Sequence, residues 1–192
     1  MNEIILIGGG GHCRSAIDVI EQESQFKIVG IVDKPHNLDS VILGYPVIGG
    51  DKDLDRLSKK YQNALITVGQ IKSALLRTNL FKLAIKFGFK MPSIKSPKAH
   101  ISRHSKIGNG TIVMHGAVIN ANVIIGDNCI INSKALIEHD CQISDHCHIS
   151  TNATINGGVK INQGCFIGSN ATIVESRTIK KNSFIKAGEL VK

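Results

Sequence analysis

The chain has 192 residues with a formal net charge of +8, and 42% of the residues are hydrophobic, which is enough for one or two packed domains. The basic residues form no run interleaved with aromatics, and no recognition helix is evident. We therefore expect small anionic ligands and no nucleic-acid partner. No apolar stretch reaches the roughly 18 residues of a membrane span, so we expect a cytoplasmic protein without a membrane partner.

Over residues 1–90, short apolar runs alternate with amphipathic segments. The first run, residues 2–7, predicts a buried strand that breaks at Gly8 and leads into a helix. Later segments predict strands over 27–32, 45–50 and 64–68, and helices over 51–61 and 73–87, the last with Leu76, Leu80, Leu83 and Phe87 on its buried stripe. This alternation predicts an α/β domain with a Rossmann-like parallel sheet.

The loop after the first strand contains four consecutive glycines followed by His12. A strand, a glycine turn and a helix N-terminus together expose backbone N–H groups to a phosphate. Cys13 occupies the position of the third glycine in the dinucleotide fingerprint, so the loop predicts nucleotide binding of a looser kind than in nicotinamide enzymes. Gly8, Asp33 and Gly69 each follow a predicted strand and are expected to line one crevice, with a cap or turn role as the alternative for Asp33.

The second half of the chain, residues 98–192, repeats every six residues. An aliphatic residue recurs at each sixth position from Ile101 to Ile185, which makes fifteen hexads without an insertion. Gly or Asn dominates three positions later and small residues dominate four positions later, the pattern of tight corners and a narrow interior. No helix has this period, so the repeat predicts a three-sided parallel β-solenoid of five coils with 18 residues each. Four of the five cysteines fall on inward positions and are predicted to be small buried hydrophobes in a reducing compartment.

The hexads resemble those of the hexapeptide-repeat acyltransferases. With an α/β part before them and a glycine loop ending in His12, the chain resembles the sugar acetyltransferases that include sialic acid O-acetyltransferases and the UDP-4-amino-sugar N-acetyltransferase of bacillosamine synthesis. The resemblance implies a left-handed β-helix over residues 98–192 that binds acetyl-CoA, and a domain over residues 1–90 that binds the nucleotide sugar. It also implies a homotrimer, with acetyl-CoA as co-substrate between neighbouring prisms, and no metal.

The densest polar cluster lies between residues 137 and 148. In the hexad register His139 points outward, and Gly157 stacks beside it 18 residues later, one coil away. Acetyl transfer from a thioester needs a base for the proton of the nucleophile and a donor for the oxyanion. An imidazole beside the carboxylate of Asp140 suits the base. The family pattern of a His, an acidic residue and a second His nine positions after the first matches His139, Asp140 and His148.

The resemblance implies roles for individual residues. His139 is the catalytic base and Asp140 orients it. Contacts to the acetyl group or cofactor are implied for His148, Gly157 and Gly168. Substrate contacts are implied for Gly10, Gly11 and His12 at the diphosphate or sugar, Asp33 and Lys34 at the uridine, Gly69 beneath it, and Asn132.

Three features depart from the family pattern. Lys34 stands where the bacillosamine enzyme has a second acidic residue, and residues 70–73 replace an Asn-rich turn, so the nucleotide and the sugar stay open. Residues 187–192 differ from the Gly-x-Pro-Ala-Lys tail of related enzymes. Lys180, Lys181 and Lys186 are either contacts to the CoA phosphates or a solvated basic face.

These observations predict an acetyl-CoA-dependent transferase that acetylates the amino group of a nucleotide-linked 4-amino-dideoxy sugar. The alternatives are O-acetylation of a sialic-acid-like nonulosonate and a non-catalytic scaffold that binds sugar nucleotides. A zinc site like that of hexapeptide-repeat carbonic anhydrases is disfavoured by the histidine spacing, its candidate ligands being His115, His139, His146 and His148. A Cys141–His139 nucleophile pair is weaker still, because the register turns the sulfur inward.

Overall fold

A computed structural model describes residues 1–192, beginning with a small α/β part. Its strands and helices alternate because each apolar run is followed by an amphipathic segment that covers the sheet. The elements are β1 (Asn2–Ile7), α1 (Gly11–Glu23), β2 (Phe26–Val32), β3 (Val41–Ile42), β4 (Tyr45–Gly49), α2 (Leu54–Ser58), β5 (Asn63–Ile66) and α3 (Leu75–Lys86), with 3-10 turns at Pro35–Asn37 and Asp51–Asp53. The sheet order is β3-β4-β2-β1-β5, with only β3 antiparallel to its neighbour. None of the helices combines the length and the apolar character that a membrane span requires.

The remaining strands are two residues long and form three parallel sheets, the faces of a triangular prism. We call them the covered face, the second face and the third face. The covered face contains β6 (Ile94–Lys95), β9 (Ile112–Val113), β12 (Ile130–Ile131), β15 (His148–Ile149), β18 (Phe166–Ile167) and β21 (Phe184–Ile185). The second face contains β7 (His100–Ile101), β10 (Val118–Ile119), β13 (Leu136–Ile137), β16 (Thr154–Ile155), β19 (Thr172–Ile173) and β22 (Leu190–Val191). The third face contains β8 (Lys106–Ile107), β11 (Ile124–Ile125), β14 (Gln142–Ile143), β17 (Lys160–Ile161) and β20 (Thr178–Ile179).

The hexad register is confirmed by the strand pairing. Ile131 pairs with Ile149, and Ile149 with Ile167, so each coil takes 18 residues and the aliphatic positions stack in columns. Twenty-two buried residues fill the interior, including all four cysteines of the solenoid. The corners turn at residues with positive φ, mostly Gly or Asn as predicted, but Lys134, Asp140, His146 and Ser176 take the same conformation. The strands continue the register beyond the predicted hexads, to β6 before them and β22 after them.

The small α/β part packs on the first coils of the covered face. Outward side chains of Ile94, Ile112 and Ile130 join a cluster of 16 buried residues with Ala16 and Ile20 of α1. The covered face is therefore apolar where α1 lies, whereas the other two faces mix polar side chains with exposed apolar ones such as Ile124 and Leu190. Hydrogen bonds of His115 also connect the two parts beside this cluster. Its Nε2 contacts Asp18 of α1 at 2.7 Å, and its Nδ1 contacts Ser96 of the solenoid at 2.6 Å.

The predicted stripe of α3 is partly wrong. Leu80 is buried, but Leu76 is 57% exposed, while Arg77 is only 1% exposed and Phe81 is buried beside it. The reason is that α3 faces two surfaces, since Leu80 covers the sheet and Arg77 and Phe81 reach the solenoid. A single apolar stripe predicts packing against the sheet alone.

Candidate active site

His139 lies at the corner between the second and third faces, after β13, and its side chain is 66% exposed. Its Nδ1–H donates to Asp140 Oδ2 at 2.8 Å, and the other carboxylate oxygen accepts from Asn122 Nδ2 at 2.7 Å. The hydrogen bonds from Asn122 and His139 lower the pKa of the Asp140 carboxyl, so it stays ionised and fixes the Nδ1–H tautomer. The lone pair of Nε2 is therefore available to accept a proton.

Gly157 lies one coil further along the same corner, as predicted. A Cβ there would come within 2.8 Å of His139 Cε1 and 2.9 Å of Nε2, so only glycine leaves room for the imidazole in this position. The carbonyl oxygen of Gly157 accepts from Ser176, whereas its N–H donates no hydrogen bond within the protein. An imidazole and an open backbone donor thus share one exposed corner. Glu138, which the sequence analysis did not single out, is held beside them by Asn120 at 2.7 Å.

Alanine at Gly157 is expected to reduce activity with little effect on stability, and alanine at Gly168 is expected to reduce stability. Gly157→Ala pushes against the exposed ring of His139, which can turn away, so we expect a kcat reduced about 100-fold at nearly unchanged stability. Gly168→Ala places a Cβ 2.5 Å from the backbone nitrogen of Ala187, a clash that no side-chain rotation relieves, and is expected to lose about 2 kcal/mol of unfolding free energy. Urea unfolding and steady-state kinetics check both. Equal stability losses in the two variants would contradict the assignment.

His148 is not beside His139 within the chain, because it lies on β15 of the covered face and is buried. Its Nδ1–H donates to the carbonyl of Gln70 at 2.7 Å, and its Nε2 accepts from Asn132 Nδ2 at 3.2 Å. Burial, opposed by the Gln70 contact and assisted by the positive charge of Arg77, lowers the pKa of His148 to about 4. The ring is therefore neutral and joins the small part to the solenoid through Gln70, while Asn132 holds its other nitrogen from within the solenoid.

This buried imidazole predicts a pH dependence of stability. The unfolded chain binds a proton at His148 below about pH 6.5, whereas the folded chain does so only near pH 4. The neutral, buried His148 therefore makes its full contribution to the free energy of unfolding above pH 6.5, and this contribution is lost as the pH falls towards 4. The full loss is on the order of 3 kcal/mol. We expect His148→Gln to flatten the pH dependence of the unfolding free energy, measured in urea, and exposed His104→Gln to leave it unchanged. Parallel slopes for the two variants would refute this.

The glycine loop lies at the carboxyl edge of the small sheet. Gly10 precedes α1 and Gly11 begins it, and a Cβ at either would meet nothing within 4 Å. The first turn of α1 carries no acidic residue and no side-chain cap, and the N–H of Cys13 donates to the carbonyl of Gly10, which leaves the N–H groups of Gly11 and His12 without a partner within the protein. A Cβ at Gly9 would collide with Asp33, and Gly8 has φ +111°, so these two glycines are required by the turn itself.

Asp33 and Lys34 line a cavity of about 430 Å³ at the same edge, together with Gly8. Asp33 Oδ2 accepts from Asn37 at 2.7 Å, which leaves the other carboxylate oxygen for a ligand. Asp51 and Leu76, which the sequence analysis did not name as site residues, also line this crevice. The predicted crevice is thus present around Gly8 and Asp33.

His12 and Gly69 lie behind the loop, outside this cavity. The Cβ that Gly69 lacks would be 3.6 Å from His12 Cβ, an ordinary contact. His12 is half-buried, and its enclosed Nε2 has no hydrogen-bond partner. Burial, with smaller contributions from the charges of Arg77 and His148, lowers its pKa to about 3. His12 therefore faces the junction of the two parts of the protein.

The crevice and the His139 corner are on different sides of the molecule. The small part packs on the covered face, whereas His139 lies at the junction of the two other faces. The histidines considered as zinc ligands are also apart, since His115, His139 and His146 lie at three different corners of the prism. No three side chains of His, Cys, Asp or Glu are close enough together to hold a metal ion. Cys141 is buried in the interior, away from the imidazole of His139.

Comparison with known proteins agrees with both parts of the chain. Residues 3–82 match the family described as the PglD N-terminal domain, and residues 104–139 and 140–175 match the bacterial transferase hexapeptide. No curated protein sequence is matched at a significant level.

Several solved structures match the whole chain, among them those of two enzymes. A mutant of perosamine N-acetyltransferase from Caulobacter crescentus, in a complex with CoA and GDP-perosamine, is 30% identical with a TM-score of 0.93, over 100% of this chain and 89% of that one. The acetyltransferase domain of PglB from Neisseria gonorrhoeae is 27% identical with a TM-score of 0.92, over 100% and 92% of the two chains. That domain has also been solved with acetyl coenzyme A.

The chain belongs to the hexapeptide-repeat sugar acetyltransferases. Its fold is the predicted one, a Rossmann-like α/β domain followed by a left-handed parallel β-helix, and it is an acetyl-CoA-dependent acyltransferase. The expected domain limits at residues 90 and 98, and the individual roles of the site residues, stay predictions.

Proposed function

We propose that the protein transfers the acetyl group of acetyl-CoA to the amino group of a nucleotide-linked 4-amino-dideoxy sugar, with His139 as general base. The observation that carries this proposal is the Asp140–His139 pair above the open N–H of Gly157. Structural neighbours that bind GDP-perosamine and CoA support the substrate class. The cytoplasm, where acetyl-CoA is available, is the proposed compartment.

The proposed chemistry is a direct transfer within a ternary complex. The amine nitrogen attacks the thioester carbonyl, and His139 Nε2 takes the proton that the nitrogen loses, while Asp140 stabilises the imidazolium through Nδ1–H. The N–H of Gly157 donates to the oxygen that gains the negative charge. When the tetrahedral intermediate collapses, the C–S bond breaks and the CoA thiolate accepts the proton from His139. Neither a covalent enzyme intermediate nor a metal is required.

The position of His139 supports a site shared between copies of the chain. A nucleotide sugar in the crevice lies beside the covered face, so it meets the second/third corner of another protomer more readily than that of its own. Asn132 and His148, which join the two parts of one protomer, then approach His139 of the next one. A cyclic homotrimer, with acetyl-CoA between adjacent prisms, satisfies this arrangement at three equivalent sites.

Thiol release from acetyl-CoA tests the reaction against a panel of acceptors. The panel contains UDP- and GDP-linked 4-amino sugars, the matching sugars with a hydroxyl group at C4, and free or CMP-linked sialic acids. We expect release only with the amino sugars. Thiol release only with the sialic acids would replace this proposal by O-acetylation. No thiol release with any acceptor would favour a protein that binds sugar nucleotides without turnover.

Mixed trimers test the shared site. Gly11→Glu places a carboxylate at the mouth of the glycine loop without a clash and is expected to weaken nucleotide-sugar binding, with Gly11→Ala as its control. His139→Ala removes the base. Co-assembly of these two inactive variants in equal amounts should restore about one quarter of wild-type activity if the crevice of one chain serves His139 of another. No recovery in verified mixed trimers would place the whole site within one chain.

A further inference from the structure

A second cavity, of about 500 Å³, lies between the small part and the later coils of the solenoid. We call it the interdomain cleft. One wall is the segment from Ile71 to Leu75 with the start of α3, and the other is formed by Phe166 and Phe184 of the covered face with the adjoining third/covered corner. It shares no lining residue with the crevice at Asp33. Its size is in the range of small-molecule sites.

The cleft is strongly basic. Lys72, Lys82 and Lys181 line it, and no aspartate or glutamate does. Its histidine, His146, is largely neutral because burial lowers its pKa. Two carboxylates lie next to the cleft, Asp145 and Asp127, and both act electrostatically on His146, but neither lines the cavity. The lining itself carries three ammonium groups, whose positive potential favours an anion.

The floor of the cleft is aromatic. The ring of Phe166 contacts that of buried His148 edge-on at 5.2 Å and stacks on that of Phe184 at 5.1 Å with an interplanar angle of 12°. Phe184 is the last ring of this ladder and is 46% exposed. A flat aromatic face next to solvent is suited to stack on a planar heterocycle. Ser73 and Asn182 add hydroxyl and amide groups at the rim.

We propose that the interdomain cleft binds a nucleotide, with its phosphates among Lys72, Lys82 and Lys181 and its base on Phe184. This site is additional to the crevice of the small sheet, and it is defined by binding and not by acetyl transfer. Since the nucleotide sugar is assigned to the crevice, the same chemistry has two sources: the phosphorylated adenosine of CoA, or a free nucleotide that acts as an effector. Both present phosphates next to a flat base.

Calorimetric titration of the full chain with pyrophosphate, ADP, UDP and GDP tests the site. The Gly11→Glu background suppresses binding in the crevice. The double variant Lys72→Met/Lys181→Met is expected to weaken binding of every probe by about tenfold or more, and Phe184→Ala to weaken the nucleotides about tenfold while leaving pyrophosphate within about twofold. Lys160→Met and Leu190→Ala, which change an exposed lysine and an exposed apolar side chain on the other faces, are the matched controls.

The same variants identify the source of the nucleotide. A loss of affinity for acetyl-CoA alone assigns the site to the cofactor, whereas a loss for the nucleotide sugar alone would contradict the proposal, because the sugar nucleotide would then occupy the cleft instead of the crevice. Loss for free nucleotides with both of these intact assigns an effector site. The proposal is overturned if the double lysine variant binds all probes as tightly as the Lys160→Met control, or if no probe binds in the Gly11→Glu background.

Discussion

Replacing His139 with alanine is expected to lower kcat about 1,000-fold while leaving the affinities for both substrates within about threefold. The imidazole is exposed and contacts only Asp140 and the space above Gly157, so its removal takes away the base without disturbing the fold. Single-turnover thiol release, with binding measured separately, checks this. The residual rate reflects the positioning of two bound substrates, which the variant retains.

The matched control is His104→Ala, another exposed histidine at a solenoid corner. Its only side-chain contact is with Arg103, and its kcat should equal that of the wild type. Asp140→Asn is expected to fall between the two, because the amide can hold the ring but stabilises the imidazolium less. A His139→Ala enzyme with undiminished kcat would remove this residue as the base and direct attention to Glu138.

Replacing Arg77 with methionine is expected to reduce the free energy of unfolding by about 4 kcal/mol. The guanidinium is fully buried, donating to Asn128 Oδ1 at 2.7 Å and to the carbonyl of Ile66 at 3.0 Å. No carboxylate pairs with it, and burial lowers its pKa to about 10. Methionine fills the volume but leaves these acceptors without donors. Urea unfolding at one fixed protomer concentration measures the loss.

Arg56→Met is the control for this variant, since Arg56 forms an exposed ion pair with Asp53 and its removal should leave the free energy of unfolding essentially unchanged. Arg77→Lys keeps the charge but cannot reach both the sheet and Asn128 with one ammonium group, so an intermediate loss is expected. Equal stability of the Arg77→Met and Arg56→Met variants would contradict the role of Arg77 in joining the two parts.

The solenoid was predictable because its constraints are local and repeated. A six-residue period, inward aliphatics such as Ile131 and Ile149, and corner residues with positive φ each specify the same prism. Four corners use Lys, Asp, His or Ser, which tolerate this conformation less well than Gly or Asn; at Asp140 the corner carries the candidate catalytic pair.

The site was predictable only within each part. The stacking of Gly157 beside His139 follows from the register, and the crevice at Gly8 and Asp33 follows from parallel strands that share one edge. The placement of His148 does not follow, since its partner Gln70 comes from the other part of the chain. The burial of Arg77 could not be predicted for the same reason. A basic residue on a helix is expected to be exposed to solvent unless its partner in the solenoid is known.

The apolar outer surface at Ile94, Ile112 and Ile130 makes the two parts dependent on each other. In an isolated solenoid these side chains would form a continuous hydrophobic surface exposed to water, next to unpaired strand edges that promote association with other chains. The small part covers this hydrophobic surface and thereby protects the repeat array from association. To exchange the small part between related enzymes and so change the acceptor, the outward residues of the first three coils that pack against it would have to be exchanged as well.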